Sequence, residues 1–236
     1  PEGVMARTQA FICVLALIGL QGCAGMLSWE PDSYVVQSGD TLYKIAWRYG
    51  LDYRDIAQWN ELHSVDMIRA GQTLRLSPPD GWSKGSRPKA TVASGSSTPK
   101  RQSSTPVRSS APAPSAWRWP TDGELVSRFG QGALGGNGID IAGRAGQPVV
   151  AAAGGQVVYS GSGLIGYGQL IIVKHNDAYL SAYGHNRELR VSEGDRVSAG
   201  QTIAHMGDGP GRQPALHFEI RRNGKPVDPL GYLPGR

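Results

Sequence analysis

Toward the carboxy terminus the polar and apolar residues alternate. In Pro214 to Ile220, Leu216, Phe218 and Ile220 fall on one face, with Ala215, His217, Glu219 and then Arg221 on the other. That is the period of a half-buried strand. Short runs of similar texture recur from Trp117 onward, broken by glycine: Gly123 to Ser127, Pro148 to Ala152, Gly155 to Ser160, Leu170 to Lys174, Leu180 to Tyr183, Arg196 to Val197 and Thr202 to Met206. With Leu216 to Arg221 these predict a mainly-β domain, an antiparallel sandwich or a partly open barrel. The pattern nearer the amino terminus differs. Tyr34 to Gln37 reads as a strand, Ser38-Gly39-Asp40-Thr41 as a turn and helix cap, and Leu42, Ile45, Ala46 and Tyr49 recur at helical spacing before Gly50. A second helix is predicted from about Tyr53 to Trp59 and a strand over Thr73 to Leu76. The order strand, helix, helix, strand defines a small α+β module.

Arg7 precedes an apolar run, Ala10 to Leu20, too short for an ordinary spanning helix and suited to a signal-peptide core. Pro1 to Val4 read as residues upstream of a start at Met5. The run ends in Leu20-Gln21-Gly22-Cys23-Ala24, which resembles a bacterial lipobox. The resemblance implies that residues 1–22 are removed and Cys23 is lipidated as the first mature residue. Cys13 leaves with the signal, so no disulfide is expected. Ala24, where an aspartate would mark inner-membrane retention, implies an outer-membrane lipoprotein facing the periplasm.

Charge is concentrated in one place. Residues 78–116 hold six basic side chains and one acidic one, a surplus equal to the formal +5 of the whole chain. The rest is nearly neutral and shows no basic face interleaved with aromatics, which argues against nucleic-acid binding. Rich in Ser, Pro, Gly and Thr, the segment reads as a disordered linker with an r.m.s. span of roughly 35 Å.

The first module, residues 34–77, resembles a LysM module through Tyr34-Val35-Val36, Gly39-Asp40-Thr41-Leu42, Ile45-Ala46, Asn60 and Ile68-Arg69-Ala70-Gly71-Gln72. The resemblance implies binding to N-acetylglucosamine-containing glycans, here peptidoglycan. Gly39, Asp40, Thr41 and Leu42 on one loop, with Ile68 and Ala70 on the facing one, would form a shallow groove. Helix capping is the competing role for Asp40 and Thr41.

From 117 to 236 the chain resembles the LytM, or lysostaphin-type, zinc metallopeptidase domain. The resemblance is carried by Trp119-Pro120, Arg128-Phe129-Gly130, Gly138-Ile139-Asp140-Ile141-Ala142, Gly166-Tyr167-Gly168, Tyr183-Gly184-His185 and Leu216-His217-Phe218-Glu219-Ile220. That family binds zinc through the His and Asp of His-x-Gly-x-Asp and the second His of His-x-His, and two further histidines assist catalysis. Asp140 and His217 match two ligands, and His185 matches one catalytic histidine. Gly136 stands where the third ligand belongs, with Asn137 beside it, and Ala215 where the other catalytic histidine belongs. Catalytic zinc usually takes three protein ligands and an open water position. His175, expected at a solvated turn, and His205, expected to be packed, are the remaining histidines of the domain. The expectation is therefore no bound metal, no cofactor and no hydrolysis.

The order of lipobox, LysM, basic linker and degenerate LytM resembles NlpD-like lipoproteins. This implies a partner, a periplasmic N-acetylmuramoyl-L-alanine amidase of the AmiC-like kind, activated for septal cell-wall splitting when its autoinhibitory helix moves into the metal-free groove. Asn137, Asp140, Tyr167, His185, His217 and Arg221 are the expected groove residues. The alternatives are a zinc endopeptidase with a rearranged metal site and a peptidoglycan-binding scaffold that activates nothing.

Overall fold

The computed structural model describes residues 31–65, 67–82, 113–114, 116–132 and 134–235. The lipobox with Cys23, and most of the expected linker, lie outside the described residues.

The LysM module is built from β1 (Ser33–Val35), α1 (Leu42–Tyr49), α2 (Tyr53–Trp59) and β2 (Thr73–Arg75). β1 and β2 pair antiparallel, with Tyr34 opposite Leu74. The Thr41 hydroxyl accepts the Lys44 amide and caps α1, and Gly50 ends the helix in the left-handed conformation. The Asp52 carboxylate caps α2. Leu42, Ile45, Ile56 and Leu74 are fully buried between the helices and the strand pair. Asn60 ties the end of α2 to β2: its Nδ2 donates to the carbonyls of Ile56 and Arg75, and its Oδ1 accepts the Arg75 amide.

The carboxy-terminal domain comprises β3 (Leu125–Ser127), β4 (Ile139–Ala142), β5 (Pro148–Val150), β6 (Gly155–Gly161), β7 (Gln169–Lys174), β8 (Tyr179–Leu189), β9 (Arg196–Val197), β10 (Thr202–Met206), β11 (Ala215–Arg222) and β12 (Lys225–Val227). They form one connected sheet with the path β3-β4-β11-β8-β7-β6-β9, while β10 joins β5 to β8 and β12 extends β11. The pairings within this sheet are antiparallel. Tyr183, Phe218, Ile139, Ile141, Ile171 and Ile203 fill its main core.

Two strands, β4 and β12, are not anticipated by the hydrophobic pattern, and β8 runs six residues beyond its predicted end at Tyr183. In β8 the continuation passes through Gly184, and His185 takes a positive φ of 61°. The regular alternation breaks there, although the pairing continues.

The expectation of a half-buried β11 is also corrected. Every residue from Ala215 to Arg221 is buried on both faces of the strand. The apolar face packs into the domain core. Part of the polar face is covered by the LysM module: the described residues from Pro31 onward belong to one compact unit, and a second apolar cluster joins Leu42, Trp47 and Ile56 of the module to Tyr159 and Ile172 of the sheet and to Leu164 and Tyr167 of the β6–β7 loop.

Candidate functional site

The register of β4 against β11 sets Asp140 directly opposite His217. From this pairing a buried charged cluster is built. The His217 Nδ1 lies 2.7 Å from Asp140 Oδ1, and its Nε2 lies 3.0 Å from Glu219 Oε1. Arg221 donates from Nε to the other Glu219 oxygen at 3.0 Å, and the Tyr167 hydroxyl donates to Glu219 Oε1 at 2.7 Å. The period-two spacing of β11 puts His217, Glu219 and Arg221 on one face.

Burial alone would depress the His217 pKa. The two carboxylates outweigh it and raise the imidazole to about 9. Both ring nitrogens therefore donate, and His217 is an imidazolium at neutral pH. Burial would raise the Glu219 carboxyl, but the His217 bond, with the Arg221 and His217 charges, brings it below its ordinary value. Asp140, His217, Glu219 and Arg221 thus alternate in sign and balance, which is what a set of charges this deeply buried requires. Tyr167 is pushed up to about 12, by burial first and by the Glu219 charge second.

His185 stands beside this cluster, with ring centroids 5.9 Å from those of His217. Burial and then the His217 charge lower its pKa. Its Nε2 is buried and has no hydrogen-bond partner among the described residues. Asn137 lines a cavity of about 240 Å³ together with Trp47, Leu164, Tyr167 and Arg221. The structure therefore brings Asp140, His217, Tyr167, His185 and Arg221 together, with Asn137 at the margin. The face is more closed than an open cleft: of these six, only Asn137 exceeds nine per cent exposure.

Three observations bear on a catalytic zinc. His217 has both nitrogens engaged by carboxylates, one of them Asp140, its own matching ligand. At the position matching the third ligand, Gly136 has a φ of 69°, and an added Cβ would lie 2.7 Å from the Gly130 carbonyl carbon and 2.9 Å from the Gln131 nitrogen. A side chain cannot enter there without moving that turn. Among the described residues no group of three or more His, Cys, Asp or Glu is arranged to hold a metal ion. The residues present do not fit the family's metal.

The other histidines are engaged elsewhere. His175, expected at a solvated turn, instead directs both nitrogens inward, to the Gly154 carbonyl and the Ser181 hydroxyl at 2.8 Å each. Its ring packs edge-on to Trp117. The residue is half-buried overall, and burial lowers its pKa to about 4. His205 pairs with Glu188 at 3.1 Å.

In the LysM module the Asp40 carboxylate accepts from the Tyr34 hydroxyl at 2.6 Å and the Gln37 amide at 2.9 Å, and it pairs with Lys44. Thr41 caps α1 and Leu42 is fully buried. These side chains hold the loop in shape. Gly39 and Ala70 are exposed and Ile68 is half-buried, so what these loops offer to solvent is backbone groups and small side chains.

Sequence reasoning placed Glu219 on the His217 face without giving it a role, although the two-residue spacing carried that signal. Trp47 was missed altogether. Its carbonyl accepts Arg221 Nη1 at 2.8 Å, and the guanidinium stacks 3.6 Å from the centre of its ring. No local pattern joins positions 174 residues apart.

Comparison with known proteins identifies both modules. Residues 34–77 match the LysM domain model, and residues 135–229 match peptidase family M23. The chain is thus a LysM protein with an M23-type domain. It is 44% identical over 230 residues to the lipoprotein NlpD/LppB homolog of Pseudomonas aeruginosa, covering 86% of this chain and 77% of that one. It is 38% identical to the murein hydrolase activator NlpD of Escherichia coli, covering 89% and 69%. It is also 38% identical to the lipoprotein YgeR of the same organism, covering 98% and 96%. The chain belongs to the NlpD/LppB lipoprotein family.

Proposed function

We propose that this protein binds peptidoglycan through residues 34–77 and activates a periplasmic N-acetylmuramoyl-L-alanine amidase of the AmiC-like kind, without cutting the wall itself. Cys23 carries the lipid that holds it to the outer membrane on the periplasmic side. The 117–236 domain receives the amidase's autoinhibitory helix, and Asn137, Asp140, Tyr167, His185, His217 and Arg221 contribute to its seat. The cell wall is then split at the septum by the partner's own active site.

The observation that carries this reading is the closed pairing of His217 with Asp140 and Glu219. A hydrolase needs those lone pairs for its metal, whereas a docking surface needs only a fixed shape and a few polar anchors. The His185 Nε2, without a partner among the described residues, is one such anchor. The names of the NlpD relatives support the same role. Activation further requires that the open amidase bind more tightly than the closed one.

The test is release of dye-labelled peptidoglycan by this protein alone, by an amidase alone, and by both. Release only in the mixture is expected. Release by this protein alone, abolished by a chelator, refutes the reading.

A further inference from the structure

The polar face of β11 does not look into solvent. The carboxy-terminal half of α1 and the start of α2 lie against one end of it. Arg221 is 3% exposed, sealed by the Trp47 ring and bonded to the Trp47 carbonyl. Around this contact the two modules are pinned at several points. Lys225 Nζ donates to the Gly50 carbonyl at 3.0 Å, and Arg54 donates to the Asn223 side chain at 2.8 Å. Arg48 donates to the Gly163 carbonyl at 3.3 Å. Leu164 and Tyr167 join the apolar cluster of the LysM helices.

The fit is steric as well as polar. Asn223-Gly224 forms the turn between β11 and β12, with φ values of 51° and 76°. A Cβ on Gly224 would lie 2.5 Å from the Asp52 nitrogen and closer still to the Leu51 carbonyl oxygen. The turn needs positive φ at both residues, which asparagine also tolerates. Only the absence of a side chain lets the LysM backbone come so near. Meanwhile Gly39 and Ala70, on the loops expected to meet glycan, remain exposed.

We propose that the LysM module is a latch on the M23-type domain. Its α1–α2 surface holds Tyr167 and Arg221 covered, and the amidase segment gains its full seat only when the module swings away. Peptidoglycan can be held in the latched state, because the glycan loops face outward. This inference rests on the activator reading for its consequence, but the docking itself can be measured separately. Residues 78–116 join the modules with a contour length of about 130 Å, ample for separation. If the latched form is about nine-tenths of the population, the apparent affinity for the partner falls about tenfold.

The test uses the mature chain with spin labels on cysteines introduced at Gln37 and Glu193, both exposed positions on opposite modules. Gly224→Asn keeps the turn and wedges the interface from the sheet side. Trp47→Ala removes the cover, and because Trp47 is also buried in its own module, it is read only beside the first variant. In the wild type, electron–electron resonance should give one narrow distance distribution, and Gly224→Asn should broaden it. In the dye-release assay the variant should reach half-maximal amidase activation at a concentration at least about threefold lower. Activation at the wild-type concentration, or weaker, by a variant with broadened distances overturns the latch and makes the LysM helices part of the partner's seat. A distribution that stays narrow in both variants also overturns it. No release from any mixture, with distances broadened, refutes the activator reading and the latch's control over it together. That result is distinct from latch failure, in which release persists unchanged.

Discussion

Replacing Glu219 with glutamine tests whether the four-charge cluster is the structural centre of the M23-type domain. Glutamine keeps the volume and removes one negative charge from between two cations. Glu219 is fully buried, and it accepts from His217, Tyr167 and Arg221 at 3.0, 2.7 and 3.0 Å. In the variant Arg221 loses its counter-charge and meets either an amide that donates, as Arg221 does, or one flipped to present its carbonyl, which leaves Tyr167 and His217 short. Removing one member of a buried pair costs about 3–5 kcal/mol, because the other charge stays behind uncompensated. The retained volume and partial hydrogen bonding set the expectation at the lower end, about 3 kcal/mol. For a unit of this size that is a fall in melting temperature of roughly 6–12 °C. Urea unfolding followed by circular dichroism reads the free energy directly. The stronger check is a cycle with Arg221→Met. The double variant should lose about 2 kcal/mol less than the two single losses added, since neither charge is then left alone. A loss below about 1 kcal/mol for Glu219→Gln, or strict additivity in the cycle, would mean the cluster is solvated in solution and the closed-site argument fails.

Three other outcomes are expected. Gly136→His, which places the family's ligand type at the matching position, should destabilise by about 1–2 kcal/mol rather than recruit zinc, because of the positive φ and the contact with the Gly130–Gln131 turn; stoichiometric zinc on the purified variant, measured by metal analysis, would contradict this. His175 is neutral when folded, with its pKa lowered from 6.5 to about 4. The unfolded chain takes up a proton below about pH 6.5, so stability present above that pH is lost as pH falls toward 4, by about 2–3 kcal/mol. His175→Gln should flatten that part of the stability profile, and an unchanged slope would show that the ring is not held neutral. Asn60→Ala removes three hydrogen bonds, two of them joining the end of α2 to β2 at Arg75 and one to Ile56 within α2, and should cost about 2 kcal/mol, read as a lower melting temperature for the LysM module; a loss within a few tenths would assign that link to packing alone.

Much of the local structure was legible. The α1 boundaries follow from Thr41 and Gly50, and α2 was read at its observed ends, since both helices carry their stop signals within a few residues. The strands with apolar alternation were found. β4 was not read as a strand, although Ile139-Asp140-Ile141 alternates, because Gly138 and Gly143 leave it only four residues long. β12 hides behind a proline in a three-residue edge strand. Asp140 and His217 could be named from motif positions, but their direct pairing is a matter of register between strands 77 residues apart. What the pattern could not carry is the environment of a face. Alternation says that one side of β11 is polar, and polarity was read as exposure.

That inference fails here for a specific physical reason. A polar face is normally exposed because burying its charges costs more than packing returns. Across β4 and β11 the charges cancel among themselves: Asp140 and Glu219 neutralise His217 and Arg221 at hydrogen-bond distance, and Tyr167 and the Trp47 carbonyl take up an acceptor and a donor that remain. Once a strand face is internally satisfied, covering it costs little, and an aromatic such as Trp47 can lie flat on the guanidinium with a net gain. The same reasoning explains how two residues at positions matching the family's zinc ligands can be stable when paired with each other. An unpaired carboxylate at position 140 and an unpaired imidazole at 217 would each be a liability in this interior. Paired with one another, and with Glu219 closing the far side of the ring, they are a stable unit that fixes the geometry of the surface around it. Among the described residues the His185 Nε2 beside this cluster is buried without a hydrogen-bond partner, whereas buried nitrogens are ordinarily met by protein or ordered water.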